Sequence, residues 1–173
     1  QDVLKFLPRI LGRDLHKIEM NKSYRNTMEI ARYAEKLTGV KDVELLKRHG
    51  KEVVEEQFQT EDAVLDEILS KAKLGEDEYE TAAIITMTEA EASTLYQILK
   101  ARGEEVHYID RNSSVFKKGL TVTTFYLAKG LEFDQVFGIF EEDRESGLQC
   151  QAKYITATRA LHELHMYMME NSK

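Results

Sequence analysis

Apolar positions along this chain alternate between two rhythms. Short apolar runs and period-two stretches suit strands, and recurrence near every 3.6 residues suits helices. His16 to Met20 alternates as a short strand. Asn26 or Thr27 can cap a helix that runs to about Leu37 and is stopped by Thr38-Gly39. Val43 to Phe58 is ambiguous, with His49-Gly50 reading as a turn and Glu52 to Phe58 as the strand after it. Asp62 to Lys73 carries Ala63, Val64, Ile68 and Leu69 at helical spacing, and a loop begins at Gly75. Ala82 to Met87 is a buried-type strand, and Thr88 caps a helix from Glu89 to about Arg102 that Gly103 ends. Val106–Ile109, Leu120–Phe125 and Gln135–Phe140 read as strands, Gln149–Leu161 as a helix and Leu164–Met169 as a last strand.

Strands alternating with helices predict an α/β fold: a mostly parallel central sheet with helices on both faces, in three layers. Ligands in such folds lie beyond the carboxyl ends of the strands. The loops after residues 20, 87, 125 and 140 are therefore expected on the functional edge.

Composition narrows the function. The 173 residues fit one domain, residues 1–173, with 42% hydrophobic residues for a core. A net charge of −7 argues against a free-standing nucleic-acid binder, which usually shows a basic balance or stripe. Any nucleic-acid contact is then local or shared with another domain. Cys150 is the single cysteine and can form no internal disulfide, which suits a reducing, cytoplasmic setting. No apolar run approaches the ~20 residues of a membrane span. The chain begins at Gln1 rather than Met, so it is expected to be a fragment.

The most informative stretch is Thr121-Val-Thr-Thr-Phe-Tyr-Leu-Ala-Lys-Gly-Leu-Glu-Phe-Asp-Gln-Val-Phe137. By itself it is strand, turn, strand. Gly130 supplies the positive φ of a tight turn, and Lys129 and Glu132 are expected exposed at a strand's carboxyl end. There they meet a phosphate or ribose, or merely form a solvated ion pair. The string Ala-Lys-Gly-Leu-Glu-Phe resembles motif V of UvrD/Rep-type superfamily 1 helicases, and the longer Tyr-Leu-Ala-Lys-Gly-Leu-Glu-Phe-Asp resembles the HelD branch. The resemblance implies that Thr124, Tyr126 and Lys129 face nucleic acid, and that Gly130 and Glu132 lie by the nucleotide, Glu132 near the ribose. Tyr126-Leu127 stands where the usual UvrD form has His-Ser, which leaves open the contact that this histidine makes in relatives.

Two further segments occur in the order that the family implies. Tyr154-Ile-Thr-Ala-Thr-Arg-Ala160 resembles motif VI, which makes Arg159 an arginine finger for the terminal phosphate. A planar guanidinium suits charge spread over phosphate oxygens in the transition state. Without that resemblance, Arg159 reads as a helix arginine paired with a nearby acid. Met20-Asn-Lys-Ser-Tyr-Arg-Asn-Thr27 resembles motif IV, with Tyr24 stacking on adenine and Arg25 reaching the γ-phosphate. Alone, Tyr24-Arg25 is a surface pair at a helix start. Ser23 and Asn26 replace the usual Asn and Ser, the loosest match of the three.

The resemblance implies the second RecA-like lobe of an ATP-dependent DNA helicase. Its partners would be the first lobe of the same parent chain, single-stranded DNA and, as for HelD relatives, RNA polymerase. The chain lacks Gly-x-x-x-x-Gly-Lys-Ser/Thr and an Asp-Glu segment after a strand, so ATP and Mg²⁺ would be held mainly by the first lobe. His162 and His165 show no ligand pattern, and no metal site is expected. Met166, Met168 and Met169 read as packing, and Glu141-Glu-Asp143 as a solvated loop. The rival reading is a non-catalytic RecA-like module that docks on a basic protein surface. A flavodoxin-like enzyme would need a Gly-rich phosphate loop, and none is found.

Overall fold

The computed structural model describes residues 26–39, 51–76, 78–111, 118–142 and 146–170. The expected strand at His16 to Met20, the His49-Gly50 turn, and Tyr24 and Arg25 lie outside the described residues, as does Asp143. The elements are α1 (Met28–Thr38), β1 (Val54–Phe58), α2 (Glu61–Lys71), β2 (Thr81–Thr86), α3 (Glu89–Ala101), β3 (Val106–Tyr108), β4 (Gly119–Thr124), β5 (Phe133–Glu141), α4 (Gly147–Thr158) and β6 (Ala160–Met169).

Local chemistry sets most boundaries. Thr27 rather than Asn26 caps α1: its hydroxyl accepts from the Ile30 amide, and Gly39 closes the helix at φ 73°. Thr88 and Glu91 form a capping box at the start of α3. Thr60 and Ser146 cap α2 and α4, their hydroxyls accepting from the Ala63 and Gln149 amides.

The described strands form one six-stranded sheet in the order β1-β6-β5-β2-β4-β3, with every pairing parallel. The connections β1→β2 and β2→β3 step across the sheet in one direction, and β5→β6 steps back. Right-handed crossovers therefore place α2 and α3 on one face and α4 on the other. The core agrees. Val64, Leu65, Ile68, Ala92, Leu95 and Leu99 pack on one side. Ile30 and Tyr33 of α1 join Ala152 and Ala157 of α4 on the other. Helix α4 lies close over β5 because Gly138 has no side chain: a Cβ there would come within 2.9 Å of Met166 Sδ and 3.1 Å of Thr156 Cγ2.

One boundary differs from expectation. Helix α4 ends at Thr158, not Leu161, and β6 begins at Ala160, four residues before the expected Leu164. Ala160 pairs with Phe133, and the Phe133 amide donates to the Arg159 carbonyl at 2.9 Å. Sheet pairing thus takes over residues whose polar members, His162 and Glu163, conceal a strand. Among the described residues no helix is long and apolar enough to cross a membrane.

Candidate functional site

The segment from Thr124 to Phe133 joins β4 to β5 without a named helix. Strands β4 and β5 both run parallel to β2, which lies between them. Their connection must therefore travel back across the whole height of the sheet. It starts at the carboxyl edge, where the Phe125 amide donates to the Thr86 carbonyl at 3.0 Å. The Tyr126 ring is exposed and meets Phe125 edge-on, with centroids 5.4 Å apart. Two backbone turns follow, Ala128 N–H to Thr124 O and Leu131 N–H to Ala128 O, both at 3.0 Å. Ala128 is buried and anchors the turn in the core, Lys129 and Gly130 are exposed, and Gly130 has φ 83°.

This corrects one expectation. Glu132 does not stand at a strand's carboxyl end, because it immediately precedes Phe133 at the amino end of β5. Lys129 lies on the exposed turn between the two edges. Thr124 is buried rather than displayed, and its hydroxyl has no hydrogen-bond partner.

The amino edge also receives Arg159, which closes α4 immediately before β6. Its side chain is 1% exposed. Nη1 donates to the Leu131 carbonyl at 3.3 Å and Nη2 to the Thr158 hydroxyl at 3.4 Å, whereas Nε has no partner. Among the described residues no carboxylate forms an ion pair with it. Burial lowers its pKa, and the charge of nearby Glu132 acts in the opposite sense. A guanidinium stays protonated through such a shift. The fold therefore brings Leu131-Glu132 and Arg159 together, although 27 residues separate Glu132 from Arg159 in the chain.

Asn26 was expected only as a possible helix cap, but it ties the third segment to this corner. Its side-chain amide donates to the Thr158 carbonyl at 3.3 Å and the Ala160 carbonyl at 2.6 Å, bracketing Arg159. Asn26 is the residue after Arg25 in sequence and is itself buried.

No family model matches the sequence, and neither does any curated protein. Solved structures do match. The C-terminal domain of a possible DNA helicase from Lactobacillus plantarum WCFS1 is 28% identical, with a TM-score of 0.64 over 84% of this chain and 87% of that one. The fold is that of a helicase-type domain, the expected RecA-like three-layer arrangement. The arterivirus nonstructural protein 10 helicase is 13% identical in both of its structures. With DNA its TM-score is 0.46 over 67% of this chain and 28% of that chain; the other scores 0.48 over 82% and 30%. Similarity that low adds no weight, and the chain spans under a third of those viral proteins.

This helicase-type domain also contains a buried polar cluster that the sequence did not announce. Glu163 on β6 is 3% exposed. It accepts from Lys73 Nζ at 3.1 Å, the Tyr79 hydroxyl at 2.9 Å and Gln135 Nε2 at 3.1 Å. Lys51 Nζ lies 3.2 Å away and the His165 ring nitrogen 3.3 Å. Burial alone would raise the Glu163 pKa, but these donors outweigh it and hold the carboxyl at about 2. Burial lowers the pKa of His165, partly offset by Glu163. The His165 ring stacks on Phe137 with centroids 4.8 Å apart, and the His162 ring stacks on Tyr79 at 5.5 Å. Among the described residues no group of three or more His, Cys, Asp or Glu is arranged to hold a metal.

Proposed function

We propose that the chain is the second motor lobe of an ATP-dependent superfamily 1 DNA helicase or translocase of the UvrD/Rep type, on the HelD branch. It supplies the inter-lobe nucleotide site with arginines and supplies the strand path with one loop. Arg159 and Arg25 contact the γ-phosphate. Tyr24 stacks on the adenine, while Gly130 and Glu132 border the ribose and phosphates. Tyr126 and Lys129 form the side that meets single-stranded DNA, and buried Thr124 supports the start of their loop. Mg²⁺ is held by the first lobe of the parent chain. RNA polymerase is the protein partner that the HelD likeness suggests.

The observation that carries this reading is the state of Arg159. A buried cation with two long hydrogen bonds, an unpartnered Nε and no ion pair among the described residues is costly. The arrangement becomes favourable when an anion is brought to it. ATP supplies that anion when the two lobes close and the Leu131 turn shifts aside. The guanidinium then stabilises charge on the phosphoryl oxygens in the transition state.

The decisive variants are Arg159→Ala and Arg159→Lys in the full parent chain. Both are expected to lower kcat by about 10³, with a much smaller change in nucleotide affinity. Lysine fails because one ammonium does not reproduce a planar fork. Turnover within a few-fold of the unmodified protein, in variants that melt cooperatively, removes the arginine finger from the proposal.

One observation favours the docking module instead. A cleft of about 400 Å³ at the carboxyl ends of β5 and β6 has Val64, Leu95 and Phe140 in its wall and Glu61, Glu91, Glu141 and Glu170 around it. Together with the net charge of −7, this suits a basic protein surface. A parent chain without ATPase activity would decide for that reading.

A further inference from the structure

The carboxyl edge of the sheet is electrically divided. Its β5/β6 half carries the glutamate-lined cleft, which repels a polyanion. A single strand that follows this edge must therefore pass over the β3/β4 corner. That corner is fixed by backbone and side-chain bonds: the Ile109 amide donates to the Val122 carbonyl at 3.1 Å, and the Thr123 hydroxyl to the Ile109 carbonyl at 2.9 Å. Two residues on, Arg111 projects with its side chain 73% exposed. Its Nε lies 3.3 Å from Glu89 Oε2, and the Tyr126 hydroxyl is a close polar neighbour of the guanidinium. Tyr126 is the exposed aromatic of the crossover, backed by buried Phe125. Tyr108 and Tyr96 are half-buried against the core, with rings 5.1 Å apart.

We propose that Arg111 and Tyr126 together hold one nucleotide of a single strand, the ring stacking on the base and the guanidinium leaving Glu89 for the adjoining phosphate. This rests on the nucleic-acid part of the proposed function and extends it to a residue outside all three motif segments. An exposed ion pair such as Arg111–Glu89 is weakly held, so exchanging its carboxylate for a phosphate costs little. Stacking needs a free base face, which a duplex does not offer, and it tolerates any base. The site is therefore selective for single strands and indifferent to sequence. Glu89 and Asp110 are the acids of this corner, and Glu89 competes directly with the phosphate for Arg111.

The test is a fluorescence-anisotropy titration of the chain with a labelled oligothymidylate of about 20 nucleotides over a series of salt concentrations. Arg111→Ala is expected to weaken binding by about tenfold and to lower the log–log salt slope by about 0.7, one phosphate's worth for a single strand. Tyr126→Ala weakens it by about fivefold to a hundredfold with the slope unchanged, and Tyr126→Phe retains most of the affinity. Glu89→Gln tightens binding several-fold, but not when combined with Arg111→Ala. An unchanged affinity in Arg111→Ala, or tightening by Glu89→Gln that persists without Arg111, overturns the assignment and leaves the nucleotide site standing. If neither the chain nor its parent binds the oligonucleotide, the nucleic-acid part of the proposed function falls as well.

Discussion

Glu163 shows what one side chain does when its surroundings are complete. A buried carboxylate with too few donors would protonate, but five donors keep this one ionised. Its folded pKa of about 2 lies below the ordinary 4.5. The difference corresponds to about 3 kcal/mol of stability at neutral pH, at about 1.4 kcal/mol per unit. Because the folded value is the lower one, this contribution is present above about pH 4.5 and is lost as pH falls towards about 2. His165 adds to the acid sensitivity: its folded pKa is lowered, so protonation below the usual histidine range also favours the unfolded chain. Glu163→Gln is expected to lower the urea midpoint at pH 7 and to flatten the fall in stability between about pH 4.5 and 2. Equal acid sensitivity in the variant and the parent sequence would show that another group controls it. At this scale Arg159 and Glu132 could be singled out as candidates because they stand in recognisable strings, but the edge of the sheet that Glu132 occupies could not be read. Glu163 and Asn26 were not, since an isolated Glu or Asn gives no sign of burial until its partners arrive from distant segments.

Among the elements, the junction between α4 and β6 matters most. The helix ends at Thr158 and the strand starts at Ala160, which leaves Arg159 alone as the connection. Asn26 holds that connection by donating to the carbonyls on either side of it. Asn26→Ala leaves two carbonyls without their side-chain donor and is expected to cost about 1–3 kcal/mol. Asn26→Asp is expected to cost more, because a carboxylate would then face two carbonyl oxygens. Urea titration measures both, and a loss below about 0.5 kcal/mol in both variants would contradict the tie. Caps at Thr88 and Gly39 could be read from the sequence, and the first cap narrowed to Asn26 or Thr27, because each acts within one helical turn. The β6 boundary could not, because pairing with Phe133 decides it.

Across the whole molecule, the β4–β5 crossover links the candidate features at the sheet's two edges. It carries Tyr126 at the carboxyl edge and brings Leu131 against Arg159 at the amino edge. On the proposed reading this domain would contribute cations and an aromatic surface, and its sequence contains no phosphate-cradling loop. The isolated chain is accordingly expected to show no Mg²⁺-dependent ATP hydrolysis above background. Clear turnover by the purified 173-residue protein would refute the two-lobe division of labour.

The sequence by itself determined the alternation of strands and helices, the capping residues, the positive-φ turn at Gly130 and the motif strings. All of these depend on neighbours a few residues apart, whose geometry is fixed by local sterics and hydrogen bonding. Tertiary structure alone decided which edge each end of the motif V segment occupies, that Arg159 is buried beneath it, and that Asn26, Glu163 and Arg111 have distant partners. Parallel pairing of β4 and β5 on either side of β2 forces the connecting segment to traverse the sheet, and a linear chain carries no local mark of that constraint.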